Sequence, residues 1–452
     1  MVKSIKKRTG PEGDIQMNVF SFCDIDFKKP KNHLPSLETP FGTRSIRDSL
    51  AYCNRCGLCL QQCPFYVLTQ EETFSPRGRN QALLLLIEGK LNLGKNKKQF
   101  LRLATTCSLC GRCTQSCPGR IPTPQHLLEL RRLLKVHFLP KTLHLLLQWR
   151  ADFPTLFYGL TQSGLFLRRW GVVKLLRFSG LANLLGCSWL HQIDRMIPPT
   201  KKTIRKKWSI LKKEQEEKPS LIYLPSLETE LFLPDIAISA WTLATQKHRP
   251  VLWTRTPTGL FEYVYGNVRK ARQQLKKLIT RHAQLQKGTL PLVTDSMDVY
   301  NYLKQAANLF ENYPGWKRKA VQFSQQVLFV TDLFPQKKIN VGAIATPVAL
   351  DTSALFKTEN TPSKNTQKIL STLFLKNFVY CDDRQADLPA FGYDFVSKNN
   401  ANQLRLLAFR PLVKKEIKTL FVFSGWALME AFAAGKKHAP QIQAMHIAQL
   451  NG

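Results

Sequence analysis

CNRCGLCLQQCP, residues 53–64, returns as CSLCGRCTQSCP at residues 107–118, and this repeat decides how the rest of the chain reads. Both runs follow the pattern C-x2-C-x2-C-x3-C-P. Two-residue spacing wraps three thiolates around three corners of one cubane, while the fourth cysteine, ahead of the proline, points toward the other cluster. The spacing therefore assigns Cys53, Cys56, Cys59 and Cys117 to one 4Fe-4S cluster and Cys107, Cys110, Cys113 and Cys63 to a second. A pair of zinc knots would use isolated C-x2-C pairs, and eight cysteines in duplicate with both prolines argue against it.

Outward from the repeat, 43 residues separate Cys63 from Cys107, far more than a compact bacterial ferredoxin needs. Helical periodicity runs through 81–93 and 124–134. Residues 1–45, rich in Lys, Pro and Asn, read as a basic arm without an apolar leader segment. From 135 to about 217 Leu, Phe and Trp interleave with Lys and Arg, as in RRWGVVKLLRFSGLANLL, which suggests basic amphipathic helices packed on neighbours or docked on a membrane surface or partner. The uncharged stretch 153–167 is too short and too polar to span a bilayer. Beyond 218 short apolar strands alternate with helices: SLIYLP, PDIAISAWTLATQK, PVLWT and NVRKARQQLKKLITRHAQL, with a second unit of the same plan starting at KKINVGAIATP and ending in IKTLFVFSG and WALMEAFAAG.

The net charge is +35, with 66 Lys and Arg against 31 Asp and Glu, so acidic partners are favoured: nucleic acid, an anionic membrane face or an acidic protein. The basic residues are spread along the chain with no recognised nucleic-acid module, which weighs against nucleic acid. Thiols packed this densely serve metals better than disulfides and imply a reducing cytoplasm. There is no Walker loop, no dinucleotide G-x-G-x-x-G and no H-x-x-x-H pair. Cys23 in the arm, Cys187 in an expected apolar helix and Cys381 at an expected strand end stand alone as small apolar fillers.

Between the runs lies Ser75-Pro76-Arg77-Gly78-Arg79, leading into a leucine-rich helix. With the two cysteine runs, the stretch from about 50 to 135 resembles the iron-sulfur subunit of glycolate oxidase, and related lactate-utilisation and heterodisulfide-reductase subunits. The helical insert is similar to the α-helical ferredoxin module of succinate dehydrogenase. The resemblance implies an electron-transfer subunit whose partner is the flavoprotein of a 2-hydroxy-acid dehydrogenase. Electrons would pass toward quinone or another carrier, with the chain cytoplasmic or peripheral on the inner face of the cytoplasmic membrane. Arg77 and Arg79 read either as solvated loop charge or partners of a carboxylate elsewhere in the fold, or as cations near the anionic clusters that raise their potential. The family's second half carries Cys-Cys-Gly signatures, and here they are degenerate: Leu227, Pro257-Thr258-Gly259, Val348, Leu388-Pro389 and Phe423-Ser424-Gly425-Trp426 stand where cysteines are expected. None of these can bind a soft metal.

The expected fold is thus α+β and multidomain. A basic arm (1–45) precedes an α-helical dicluster ferredoxin domain (46–134), a basic helical segment (135–217) and two α/β domains of degenerate cysteine-rich type (218–330 and 331–452). Electron transfer competes with two other readings, a nucleic-acid-binding iron-sulfur protein and an assembly scaffold.

Overall fold

The computed structural model describes residues 46–134, 140–172, 189–198, 219–285, 288–310, 312–334, 344–356, 363–379 and 397–451, with the isolated positions 179, 187, 388 and 393. The described chain is rich in helix and carries two small parallel sheets.

Helices dominate its first part: α1 (Ile46–Ala51), α2 (Pro64–Thr69), α3 (Pro76–Ile87), α4 (Lys97–Thr105), α5 (Arg112–Gln115) and α6 (Thr123–Leu134). The prolines that close the cysteine motifs shape this region, for Pro64 opens α2 at a position where a missing N–H is harmless. SPRGR starts α3 by the same rule. Ser75 Oγ accepts from the Gly78 N–H at 2.9 Å, and Pro76 is the first helical residue. Gly78 has no substitute, because a Cβ there would lie 2.1 Å from the Glu72 carbonyl oxygen.

Next come α7 (Lys141–Asp152), α8 (Pro154–Arg169) and α9 (Trp189–Met196). The stretch 153–167 is thus mostly α8, and among the described residues no helix is long and apolar enough to cross a membrane. Cys187 lies just ahead of α9 and outside it, its carbonyl accepting from the Leu190 N–H at 3.0 Å, so the expected helix at that cysteine is corrected to a helix entry. Cys23 and Cys381 fall outside the described residues, as do all of 201–218 and the start of KKINVGAIATP.

The first sheet is built from β1 (Leu221–Leu224), β2 (Pro250–Leu252), β3 (Leu292–Thr294) and β4 (Val327–Phe329) in the order β2-β1-β3-β4, all parallel. Its connections are α10 (Leu227–Leu231), α11 (Pro234–Thr245), α12 (Leu260–Val264), α13 (Val268–Gln284), α14 (Met297–Lys304) and α15 (Pro314–Gln325). All four residues of β1 are buried, as expected of a strand covered by helices on both faces. Helix α13 buries Val268, Ala271, Leu275, Leu278, Ile279 and His282, one face at helical spacing, and Asn267 caps it by accepting from the Lys270 N–H.

The second sheet repeats the plan with β5 (Val348–Asp351), β6 (Phe378–Val379), β7 (Thr419–Val422) and β8 (Gln443–His446) in the order β6-β5-β7-β8. Described helices around it are α16 (Ser363–Phe374), α17 (Lys398–Lys414) and α18 (Gly425–His438). The halves meet where the loops leave the C-terminal ends of the strands. The Met297 N–H donates to Phe423 O at 3.0 Å, and the Gly425 α-carbon lies so close to α10 that a Cβ would come 2.6 Å from Glu228 Cγ. Crevices beyond the carboxyl ends of parallel strands are where such sheets hold ligands.

Candidate iron-sulfur site

The two cysteine runs adopt matching backbone conformations. Arg55 and Gly57 in the first, and Leu109 and Gly111 in the second, all have positive φ, at 54°, 88°, 60° and 81°. These positions flank the second cysteine of each motif. A left-handed residue without a glycine's freedom costs energy, so Arg55 and Leu109 mark the same tight turn in both loops. In the second run the Leu109 N–H points at Cys107 Sγ at 3.4 Å, the backbone-to-sulfur donation that suits a thiolate.

Cys63, Cys107, Cys110 and Cys113 line one small cavity, together with Gln62, Phe65, Arg79 and Thr123. Burial pushes the Cys113 thiol well above its usual range, and the neighbouring thiols of Cys110, Cys107, Cys63 and Cys59 push it further. Around the first run burial likewise raises Cys59 to about 11, with Cys53 and Cys117 adding to the effect and the Arg77 backbone N–H opposing it. Thiols crowded this way become thiolates only around a multivalent cation. Among the described residues no three His, Cys, Asp or Glu converge on a point that one metal ion would fill. Four thiols around one void are the kind of donor set that the corners of a cluster take.

Arg79 supplies the opposite charge. Only 2% exposed, it sets Nη1 3.5 Å from Cys63 Sγ and Nη2 3.1 Å from Thr106 O, and its Nε has no hydrogen-bond partner. Burial opposes its charge, but Cys63, Cys107 and Cys113 outweigh that and hold its pKa above the ordinary value. A buried guanidinium turned toward sulfur fits a resident anionic cluster. Arg77 behaves otherwise: it grips the Glu72 carboxylate at 2.6 and 3.2 Å and braces the first run through Arg55 O at 3.1 Å.

The runs differ in their surroundings. In the first run Cys56 is exposed although Cys63 is buried, whereas in the second Cys107 is buried and no cysteine is exposed. The C-terminal half roofs the second run: the Phe356 N–H donates to Leu109 O, Tyr393 Oη donates to Thr105 O, and Arg131 joins Cys107 O at 2.7 Å to Val264 O at 2.9 Å. A buried network that sequence reasoning missed ties the helices behind the cysteines. His126 meets Ser49 Oγ at 2.7 Å and Asn80 Oδ1 at 3.1 Å, and burial lowers its pKa to about 3, so the ring is neutral.

The degenerate C-terminal positions partly come together. Leu388, Ser424 and Trp426 line a small cavity with Cys110, Asp298 and Ser353, just beyond the ends of β3, β5 and β7. The Leu388 N–H donates to Ser353 Oγ at 2.7 Å. Val348 is a buried residue of β5 away from this cavity, and Ser353 stands on the wall instead. In the first half Gly259 has φ of 90°, and a Cβ there would lie 2.6 Å from Ala271 O, so that turn retains its glycine for packing.

Two cysteine-lined loops thus sit on a helical module ahead of two parallel sheets. Residues 49–121 match the family model described as a 4Fe-4S dicluster domain. The chain is 26% identical over 204 residues to a probable glycolate oxidase iron-sulfur subunit of Bacillus subtilis, a match covering 44% of this chain and 42% of that protein. It is 31% identical over 124 residues to the glycolate oxidase iron-sulfur subunit of Escherichia coli, covering 26% and 29%. An Hdr-like menaquinol oxidoreductase iron-sulfur subunit of Archaeoglobus profundus is 30% identical over 144 residues, covering 27% and 25%. These relatives agree with the resemblance carried by SPRGR and the cysteine runs, and each match spans less than half of the relative's length. No solved structure matches the chain.

Proposed function

We propose that this chain is the electron-transfer subunit of an oxidoreductase whose flavoprotein partner oxidises a 2-hydroxy acid of the glycolate or lactate type. Two 4Fe-4S clusters would be held, one by Cys53, Cys56, Cys59 and Cys117, the other by Cys107, Cys110, Cys113 and Cys63. When bound, the clusters supply one-electron redox chemistry. The chain's own residues position them, exclude water and set the surrounding charge. The observation that carries the reading is the cavity walled by Cys63, Cys107, Cys110 and Cys113, with the Arg79 guanidinium against it. The unequal surroundings of the runs support exchange with a partner at the exposed first run, beside Tyr52 and Leu58.

Anaerobically purified protein should contain about eight iron atoms and give reducible paramagnetic signals, as two clusters of four irons require. Co-purification from the native organism should recover a flavoprotein. Fewer irons with no reducible signal would sink the cluster reading; clusters without a flavoprotein would leave the scaffold role standing.

A further inference from the structure

A cavity of about 360 Å³ lies between α7, α8, α9 and the segments that follow β1 and β7. That volume falls within the roughly 300–1,000 Å³ of small-molecule sites. Its walls are almost wholly apolar, with Leu147, Phe157, Leu165, Ile193, Leu231 and Phe261 among them. A nucleotide or a free hydroxy acid would find too few polar partners there. Arg168 and Asp194, which also reach the cavity, are paired with each other at 2.5 Å.

Two further wall residues narrow the choice of ligand. Trp426 lines this cavity and also the small one that Cys110 enters, so one side chain separates the apolar space from a cysteine of the second run. Glu228, 3% exposed, is the other. Burial raises its carboxyl to about 7, its own backbone N–H and Ser226 opposing the shift and Asp295 and Asp298 adding to it, so near neutrality about half of it is protonated and able to donate to a carbonyl oxygen. On the outer side, Leu160 and Leu167 belong to the wall yet are about half exposed (47% and 46%). They continue into a bare apolar face with Phe153, Leu156, Phe166 and Trp170 on α8 and just beyond its ends. Such a face, with the chain's strong positive charge, suits contact with an anionic lipid surface.

We propose that this cavity binds a lipid-soluble quinone, its ring against Trp426 and Glu228 and its chain toward the exposed face of α8. The inference rests on the electron-transfer reading, which alone gives adjacency to Cys110 a purpose. An acyl chain would need neither the carboxyl nor the cysteine.

Two glycines of α8 make the test. A Cβ at Gly164 or Gly159 meets nothing within 4 Å, but only Gly164 lines the cavity. Calorimetric titration of the full chain with a decyl-substituted benzoquinone should show binding in wild type and Gly159→Trp, and at least about tenfold weaker binding in Gly164→Trp. Decanoic acid should bind far more weakly than the quinone. No binding to wild type, equal weakening by both tryptophans, or decanoic acid binding as well as the quinone would each overturn the proposal. Binding is read without reducing the protein, so the two readings fail separately. Clusters present with no quinone bound would sink the cavity assignment; quinone bound with no clusters would sink electron transfer.

Discussion

Arg79→Gln removes a buried positive charge while keeping a polar side chain of similar reach. In the wild type Nη1 stands 3.5 Å from Cys63 Sγ. Two full charges at that separation interact by about 5 kcal/mol at an effective dielectric of about 20. An electron added to a cluster is spread over its whole volume, so the guanidinium feels roughly a third of this, about 1.5 kcal/mol. For a one-electron couple that is about 60 mV. The sign follows from charge: the guanidinium favours the more negative reduced state, so its loss lowers the midpoint. Redox titration followed by electron paramagnetic resonance should show one cluster shifted down by about that amount and the other nearly still, with Arg79→Lys recovering most of the difference. Unchanged midpoints in a fully loaded Arg79→Gln protein, or an upward shift, would refute the assignment of Arg79 to the second cluster.

Cys113→Ser should lose or weaken one cluster, seen as a fall of up to about half the iron, whereas Cys381→Ser should leave iron content unchanged; equal losses would overturn the ligand set. Glu228, raised from 4.5 to about 7 in the folded chain, holds a proton there that the unfolded chain has already released. Wild type should therefore lose stability as pH rises from about 4.5 to about 7, by on the order of 3 kcal/mol. Glu228→Gln should remove that slope in denaturant unfolding followed across pH. Arg405→Met takes the guanidinium 2.7 Å from Glu430 Oε2 out of the core and should cost about 3–5 kcal/mol, with the double change to Met at both positions recovering much of it. Thermal unfolding of the set would decide.

Both sheets were legible in the sequence because their central strands are short apolar runs bounded by turn residues, LIYL and TLFV being the clearest. Strand β6 is two residues long and carries no such signal. The matched cysteine runs and SPRGR were equally plain, but the two arginines of that motif were not separable. Their spacing is the same to any neighbour in sequence, and only the fold gives Arg77 to Glu72 and Arg79 to Cys63. Ser353 was missed for a similar reason, since the loops after β3, β5 and β7 are distant in sequence and meet only in space. The helix expected at Cys187 failed because apolar content near a helix start does not say where the helix begins.

The roof over the second cysteine run has a consequence for the order in which the chain is made. Thr105 and Leu109 are among the first hundred or so residues to leave the ribosome, yet Tyr393 and Phe356, which hydrogen-bond to them, follow some 250 to 290 residues later. At about 5–20 residues per second, that interval is tens of seconds. Throughout it the second run lacks the two hydrogen bonds that Phe356 and Tyr393 bring to it from the last third of the chain.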